Sequence, residues 1–322
     1  MNVGVVGLGY WGPNLVRNFI MVDRVDRVVA CDADENRLKA ASKKFPSVGL
    51  LQDFRQLLND DSIEAVAIAT PVSTHFALAK EAIERGKHVL VEKPMTATVA
   101  EAETLMNLAA QKNVTLMVDH TFIYTGAVRK IKQLLDAGEI GRVCYFDSVR
   151  VNLGLFQHDV NVIWDLATHD ISIMGHLLHE NPVSVAAFGA VHYNGVEDVA
   201  YVIVNFNNGL IAHFHVNWLA PAKVRQILIG GTQKMIIYDD VEPSEKVKVY
   251  DKGVTATTQE GIHKTLIQYR TGDMYAPRLD GTEALNLLCS NFIHSIIGDE
   301  RPQTDGKSAS VCSDPSQFVA RG

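Results

Sequence analysis

Three groups of residues in this 322-residue chain have types and spacings that suit chemistry. The first is Gly7-Leu8-Gly9-Tyr10-Trp11-Gly12, entered from the apolar run ending at Val5-Val6 and followed by Pro13 and an amphipathic stretch. A strand that turns into a helix through Gly-x-Gly-x-x-Gly makes a phosphate site out of backbone. Gly7 permits the tight turn, Gly9 lets a pyrophosphate approach, and Gly12 lets helix and strand pack closely. The free N–H groups and positive dipole end of the helix then face the anion. The second group is Glu92-Lys93-Pro94, where a lysine held beside a reacting hydroxyl can stabilise a developing alkoxide. The third is Trp164-Asp165-Leu166-Ala167-Thr168-His169-Asp170. On a helix, Asp165 and His169 are four apart and share a face, which suits a histidine base oriented by a carboxylate or a pair of metal ligands. Oxidation of an alcohol by hydride transfer needs a proton acceptor, and a histidine with its ordinary pKa of about 6.5 serves at neutral pH.

These groups need a scaffold that brings them to strand ends. The run Arg27-Val28-Val29-Ala30-Cys31 predicts a second strand ending on Asp32, about twenty residues after Gly12, where a carboxylate accepts the ribose hydroxyls of a dinucleotide. A 2′-phosphate about 5 Å from that carboxylate would cost roughly 3 kcal/mol at an effective dielectric of about 20, which selects NAD over NADP by about a hundredfold. Asp34 adds to the repulsion, and Arg37, one helical turn on, can stack on adenine or meet a phosphate. Ala65 to Ala69 reads as a buried strand, followed by Thr70-Pro71-Val72-Ser73-Thr74-His75 and a helix stopped at Arg85-Gly86. His88 to Val91 forms the next strand. A capping box at Thr98 and Glu101 opens a helix to about Lys112, and Thr115 to Val118 closes the sheet before Asp119-His120. Strand and helix alternate throughout, so residues 1–120 are expected to form a Rossmann domain with a doubly wound parallel sheet.

From about residue 140 the rhythm changes to long alternating strands at Ala200 to Asn205, Leu210 to Trp218, Val224 to Ile229 and Lys234 to Tyr238, with turns such as Asn207-Asn208-Gly209. Residues 121–322 are therefore expected to form an α+β domain around a large, open, mostly antiparallel sheet for substrate binding and assembly. A sheet of this kind needs its second face covered, so a homo-oligomer, dimer or tetramer, is expected.

Composition narrows the possibilities. Apolar content of 47% with 21% charged residues is that of a globular protein, and a net charge of −7 disfavours nucleic acid and anionic membranes as partners. No apolar run approaches a membrane span and no signal-peptide pattern is present, so a cytoplasmic location is expected. Cys31, Cys144, Cys289 and Cys312 are scattered, as buried reduced thiols are. His213 and His215 share a strand face, and His176 and His179 follow His169, but no third ligand has convincing spacing; no metal is expected.

Taken together, these motifs resemble the Gfo/Idh/MocA sugar and inositol oxidoreductases over nearly the whole chain. The resemblance implies an NAD(P)-dependent oxidoreductase acting on CH–OH groups, with Lys93, Asp165 and His169 catalytic and His169 the base. It also implies cofactor contacts from Gly7, Leu8, Gly9, Tyr10, Trp11, Gly12, Asp32, Arg37, Thr70, Pro71, His75, Glu92 and Lys93. The family's usual Asp-x-Gly-x-His reads Asp165-x-Ala167-x-His169 here. Gly154-Leu155-Phe156, the 164–170 motif and Tyr275-Ala276-Pro277-x-Leu279-Asp280 are most similar to the branch acting on UDP-N-acetylated sugars. That similarity implies oxidation at C3 of UDP-N-acetylglucosamine. The 3-keto product would feed an aminotransferase and amino-sugar synthesis for lipid A or a surface polysaccharide. It points to Arg150, Trp164, Tyr275 and Arg278 as substrate contacts. The alternatives are a myo-inositol or free-sugar dehydrogenase, and an NAD-dependent sensor or co-repressor without turnover. Retention of Lys93, Asp165 and His169 together argues against the sensor. The chain departs from the family after Pro302-Gln303-Thr304-Asp305-Gly306, where residues 308–315 are rich in Ser, Asp and Pro and are a poor helix.

Overall fold

A computed structural model describes residues 1–154, 160–193, 195–258 and 265–305, with side chains described outside 254–269. Leu155, Phe156 and the atypical tail from residue 306 lie outside the described residues. The chain divides into two compact units, one comprising Met1–Tyr124 and the segment from Thr282, the other running from Thr125 to Gly281.

In the first unit the strands are β1 (Asn2–Val6), β2 (Arg27–Cys31), β3 (Gly49–Leu51), β4 (Ala65–Ile68), β5 (His88–Glu92) and β6 (Leu116–Asp119). They pair in the order β3-β2-β1-β4-β5-β6, and every pairing is parallel. The order reverses between β1 and β4, the switch point where ligands of doubly wound sheets bind. Helices α1 (Gly12–Met21), α2 (Glu35–Lys44), α3 (Phe54–Asn59), α4 (Val72–Glu84) and α5 (Val99–Lys112) cover both faces. Strand period decides which face each side chain serves. Val3 and Val5 enter the core containing Leu15, Phe19 and Leu38, whereas Val6 enters the one containing Leu57, Ala79 and Leu105. The expected capping box is present, with Thr98 and Glu101 each bonding the other's backbone N–H, and Gly86 takes the left-handed conformation (φ +76°) that ends α4.

The domain boundary expected at residue 120 needs correction at the C-terminal end. Helix Ala284–Ile296 belongs to the first unit, packing on α1 with Phe19 and Phe292 edge to face at 6.3 Å between ring centres. Beyond it, the Thr304 carbonyl accepts from Val118 N–H (3.0 Å) and Asp305 bridges to Met117, so the Pro-x-Thr-Asp segment lies along β6, the outermost strand of the sheet. The reason is an apolar face, Leu285, Leu288, Phe292 and Ile293, that completes the α1 side of the first core.

The second unit opens with α6 (Gly126–Asp136) and β7 (Val143–Val151), followed by a single π-helical turn at Ile163–Ala167 and α7 (Thr168–Leu177). Strands β8 (Pro182–Ala190), β9 (Val199–Phe206), β10 (Ile211–Asn217), β11 (Val224–Gly231), β12 (Met235–Asp239) and β13 (Val247–Tyr250) follow. A hairpin of β14 (Gly253–Thr258) and β15 (Thr265–Arg270) precedes the short β16 (Met274–Tyr275). The large sheet runs β16-β13-β12-β11-β7-β10-β9-β8 and is antiparallel except where β7 and β10 pair in parallel. One face is buried through Ala200, Val202, Ala212, Phe214 and Val216; the other presents Tyr201, Ile211 and, on β8, Phe188. His213 and His215 do share that outer face, stacked on Tyr201 at 6.0 and 4.5 Å. Among the described residues no group of side chains could hold a metal ion, no helix is long and apolar enough to cross a membrane, and Cys31, Cys144 and Cys289 are free thiols.

Because Phe292 is fully buried against α1, Phe292→Ala is expected to cost roughly 3–5 kcal/mol in urea unfolding. A cost below about 1 kcal/mol would mean that the C-terminal helix is not part of the first unit's core.

Candidate active site

The glycine turn behaves as its spacing predicts. Gly7 has φ +91° and its N–H donates to Cys31 O (2.8 Å), while a Cβ on Gly12 would sit 1.8 Å from Gly7 O. Any side chain at residue 12 therefore pushes α1 off the strand. A Cβ on Gly9 would meet nothing nearer than 4.0 Å, which leaves open space above the turn. At the end of β2 the buried Asp32 carboxylate accepts from Leu8 N–H (2.6 Å) and Asp34 N–H (2.9 Å), fixing it beside that turn. Arg37 does not project away from this carboxylate. Its guanidinium lies 3.4 Å from Asp32 and 3.7 Å from Asp34, so it stands at the same strand end. Tyr10 is almost fully exposed, and Trp11 donates its indole N–H to Asp119 Oδ2 (2.9 Å), tying the turn to the end of β6.

The ends of β4, β5 and β6 carry the remaining candidates. Glu92 and Asp119 are partners in the β5–β6 register, so two carboxyls stand side by side, with Lys93 next in the chain and a cis peptide joining Lys93 to Pro94. Burial, together with the Asp119 charge, pushes Glu92 well above the usual carboxylate range. Asp119, itself 3% exposed, is the better hydrogen-bonded of the two, accepting from Trp11 and from the backbone and hydroxyl of Thr121. His120 is buried with neither ring nitrogen hydrogen-bonded among the described residues, and burial lowers it to about 4, so it is neutral at pH 7. His75 needs correction as a direct cofactor contact. It is 1% exposed, and both ring nitrogens face backbone carbonyls, those of Pro94 (2.9 Å) and Thr70 (2.8 Å). It bridges the loops that follow β4 and β5.

In the second unit, Asp165 belongs to the π-helical turn and His169 to the first turn of α7, so the two are not on one regular α-helix as the spacing suggested. Single π turns recur at functional sites, because the wider turn re-aims side chains. The Asp165 carboxylate is held by the indole N–H of the fully buried Trp218 (3.0 Å), and the Trp164 backbone N–H by Asn161 (3.1 Å). The Ser172 hydroxyl donates to the His169 carbonyl (2.6 Å). Trp218 was missed in the sequence because its partner lies 53 residues away.

Arg150 must be corrected as a substrate contact. Its side chain is 2% exposed and forks onto Asp170 (3.0 and 2.6 Å), which also accepts from Ser148 (2.7 Å). The pair bolts β7 to α7 one residue after His169. Trp164 is partly buried at the π turn and Arg278 is exposed, while the Tyr275 hydroxyl donates to Glu139 (3.2 Å), which also pairs with Lys234.

Residues 1–120 match a family described as "Oxidoreductase family, NAD-binding Rossmann fold", and residues 128–237 match the "GFO/IDH/MocA C-terminal domain". The chain belongs to the Gfo/Idh/MocA family. A relative from Acidithiobacillus ferrooxidans, a UDP-N-acetylglucosamine 3-dehydrogenase, is 30% identical over 311 residues, 93% of this chain and 87% of its own. The fold matches a crystal structure of the UDP-N-acetylglucosamine 3-dehydrogenase of that organism with a TM-score of 0.80 at 24% identity, covering 99% and 96% of the two chains. It also matches scyllo-inositol dehydrogenase from Lactobacillus casei, solved with NAD(H) and scyllo-inositol (TM-score 0.77, 19% identity, 99% and 95% covered). The Gfo/Idh/MocA chain is thus an oxidoreductase with an NAD-binding Rossmann domain. Its own residues fit that cofactor: the open space over Gly9, the carboxylate of Asp32 and the ring of His120, without a hydrogen-bond partner among the described residues, all lie at the carboxyl ends of one sheet's strands.

Two stability effects follow. Removing one partner of a buried ion pair strands the other, so Asp170→Ala is expected to cost about 3–5 kcal/mol, and pairing Arg150→Met with Asp170→Leu to recover most of it. His120 titrates at about 4 folded and about 6.5 unfolded, so the unfolded chain binds more protons between those values. Stability from this group is complete above about pH 6.5 and falls by up to roughly 3 kcal/mol on the way to pH 4. The opposing Glu92, whose shift makes stability fall with rising pH, is common to wild type and His120→Gln, so the difference between their urea curves isolates the histidine. A difference that does not change with pH contradicts the assignment.

Proposed function

We propose that this Gfo/Idh/MocA chain oxidises the C3 hydroxyl of a nucleotide-linked N-acetylated hexose, with UDP-N-acetylglucosamine the leading substrate and its 3-keto sugar the product. The observation that carries the reading is the combination of Lys93, directly after β5, with Asp165 in the π turn and His169 in the first turn of α7. Its substrate half draws on the 30% identity to the Acidithiobacillus ferrooxidans enzyme. Bound NAD supplies the acceptor for the hydride from C3. The Lys93 ammonium hydrogen-bonds the hydroxyl oxygen and stabilises negative charge on it as the O–H bond breaks. His169 takes the hydroxyl proton, and Asp165, fixed by Trp218, orients it. Thr70, Pro71 and Glu92 shape the cofactor side of the chemistry, and Asp32 selects NAD over NADP by excluding a 2′-phosphate.

A 3-keto sugar is a carbonyl compound open to transamination, so the proposed product suits an aminotransferase partner and amino-sugar synthesis for lipid A or a surface polysaccharide in the cytoplasm. The outer face of the large sheet, with Phe188, Tyr201 and Ile211 uncovered in the single chain, supports a homo-oligomer. A second reading, oxidation of a free polyol such as an inositol, has the same chemistry and is supported by the fold shared with scyllo-inositol dehydrogenase.

The test is NADH formation with UDP-N-acetylglucosamine, myo-inositol, scyllo-inositol and glucose, coupled to an aminotransferase to draw off product. Turnover of the sugar nucleotide is expected, and turnover of the polyols alone overturns the substrate assignment. His169→Asn is expected to lower kcat by about 10²–10⁴, and Lys93→Ala by about 10²–10³. Cofactor binding without turnover of any substrate would instead indicate a sensor. Kd measurements should show NAD preferred over NADP by about a hundredfold, with the preference largely lost in Asp32→Ser.

A further inference from the structure

His75 lies in the first turn of α4 and is 1% exposed, yet both of its ring nitrogens meet backbone oxygens. Nδ1 is 2.9 Å from Pro94 O and Nε2 is 2.8 Å from Thr70 O. A carbonyl oxygen only accepts, so each contact is a hydrogen bond only when the facing nitrogen carries a hydrogen. A neutral imidazole has one N–H. It would aim its other nitrogen's lone pair at an oxygen at contact distance and leave that buried carbonyl without this donor, an arrangement native interiors avoid. We propose that His75 carries protons on both ring nitrogens and acts as a positioning residue, buckling the loop after β4 to the loop after β5 and so fixing Lys93.

The chain connectivity supports this. Thr70 and Pro71 follow β4, Lys93 and Pro94 follow β5, and these strands are neighbours in the parallel sheet. The β4–β5 pairing ends at Ile68 and Val91, before the two loops begin. One ring bridging Thr70 O and Pro94 O makes them a single unit, and the Thr74 hydroxyl reinforces the first loop through Thr70 Oγ1 and Pro71 O, both at 2.7 Å. The positive end of the α4 dipole opposes a charge on His75. Two carbonyl dipoles at hydrogen-bond distance in a buried site act more strongly than the spread dipole of the helix end. The inference rests on the NAD-binding assignment and is independent of which sugar is oxidised.

The test is the proton count on the ring. In full-length protein labelled with ¹⁵N-histidine, near neutral pH, the signals that vanish in His75→Gln are expected to show one-bond N–H coupling at both nitrogens. Coupling at one nitrogen alone overturns the proposal. Should His75→Gln fail to fold, neutron diffraction from wild-type crystals reads the same two hydrogens. In the folded variant the Kd for NAD is expected to rise about tenfold, although His75 is shut away from any ligand, with KM for the sugar substrate little changed. An unchanged Kd for NAD removes the positioning role. Because ring protonation and NAD affinity are both read without the sugar, they stand even if the sugar-nucleotide reading fails.

Discussion

The contact between Gly12 and the Gly7 carbonyl is the constraint on which the first unit depends. With no room for a Cβ there, α1 starts directly on the turn that leaves β1, and its axis is set by backbone contact. Three consequences run from that placement. Leu8 N–H is brought onto Asp32, which fixes the carboxylate at the end of β2. Trp11 is brought onto Asp119, which joins the turn to the far side of the switch point. Phe19 is placed where Phe292 meets it, so that the C-terminal helix has a surface to dock on.

Both units hold their candidate site residues by the same means. Each is tied by a buried neighbour: His75 bridges the loops after β4 and β5, Trp218 holds Asp165, and the Arg150–Asp170 pair lies beside the start of α7. Such buried polar ties add little net stability, because desolvation offsets much of the attraction. Their value lies in direction. Each permits one arrangement of a side chain that an apolar contact would leave free to rotate. The carboxyl pair at Glu92 and Asp119 follows similar logic, since burial beside a hydrogen-bonded carboxylate disfavours charge on Glu92 and limits the charge at the strand ends.

Local patterns made much of this legible. The alternation of apolar strands and amphipathic helices to Val118, the capping box at Thr98, and the long strands from Ala200 to Tyr238 all carry their period in a few adjacent residues. The glycine turn and Asp32 were legible because a backbone phosphate site has few sequence solutions. What the sequence concealed depends on distant partners. The apolar stripe of Ala284–Ile296 says that the helix is buried and gives no address, so it was assigned to the nearer domain. Arg150 reads as a charge available to an anionic ligand until Asp170 is found opposite it. The i, i+4 spacing of Asp165 and His169 is the same whether the chain winds as an α-helix or enters through a π turn. His75 was legible as part of a cofactor loop, but the two carbonyls that enclose it belong to backbone and leave no mark on residue identity.

The return of the C-terminal helix to the first unit also bears on how the chain folds as it is made. Synthesis delivers residues in order at about 5–20 per second, and the second unit, continuous from Thr125 to Gly281, is complete in sequence before the last piece of the first exists. Throughout that interval the α1 side of the Rossmann core lacks Leu288, Phe292 and Ile293, and the outer edge of β6 lacks the strand-like segment at Thr304 and Asp305. The nascent N-terminal unit therefore carries an uncovered apolar face and an open sheet edge until residues 284–305 have been made, the period when it is most exposed to chaperones and to mispairing.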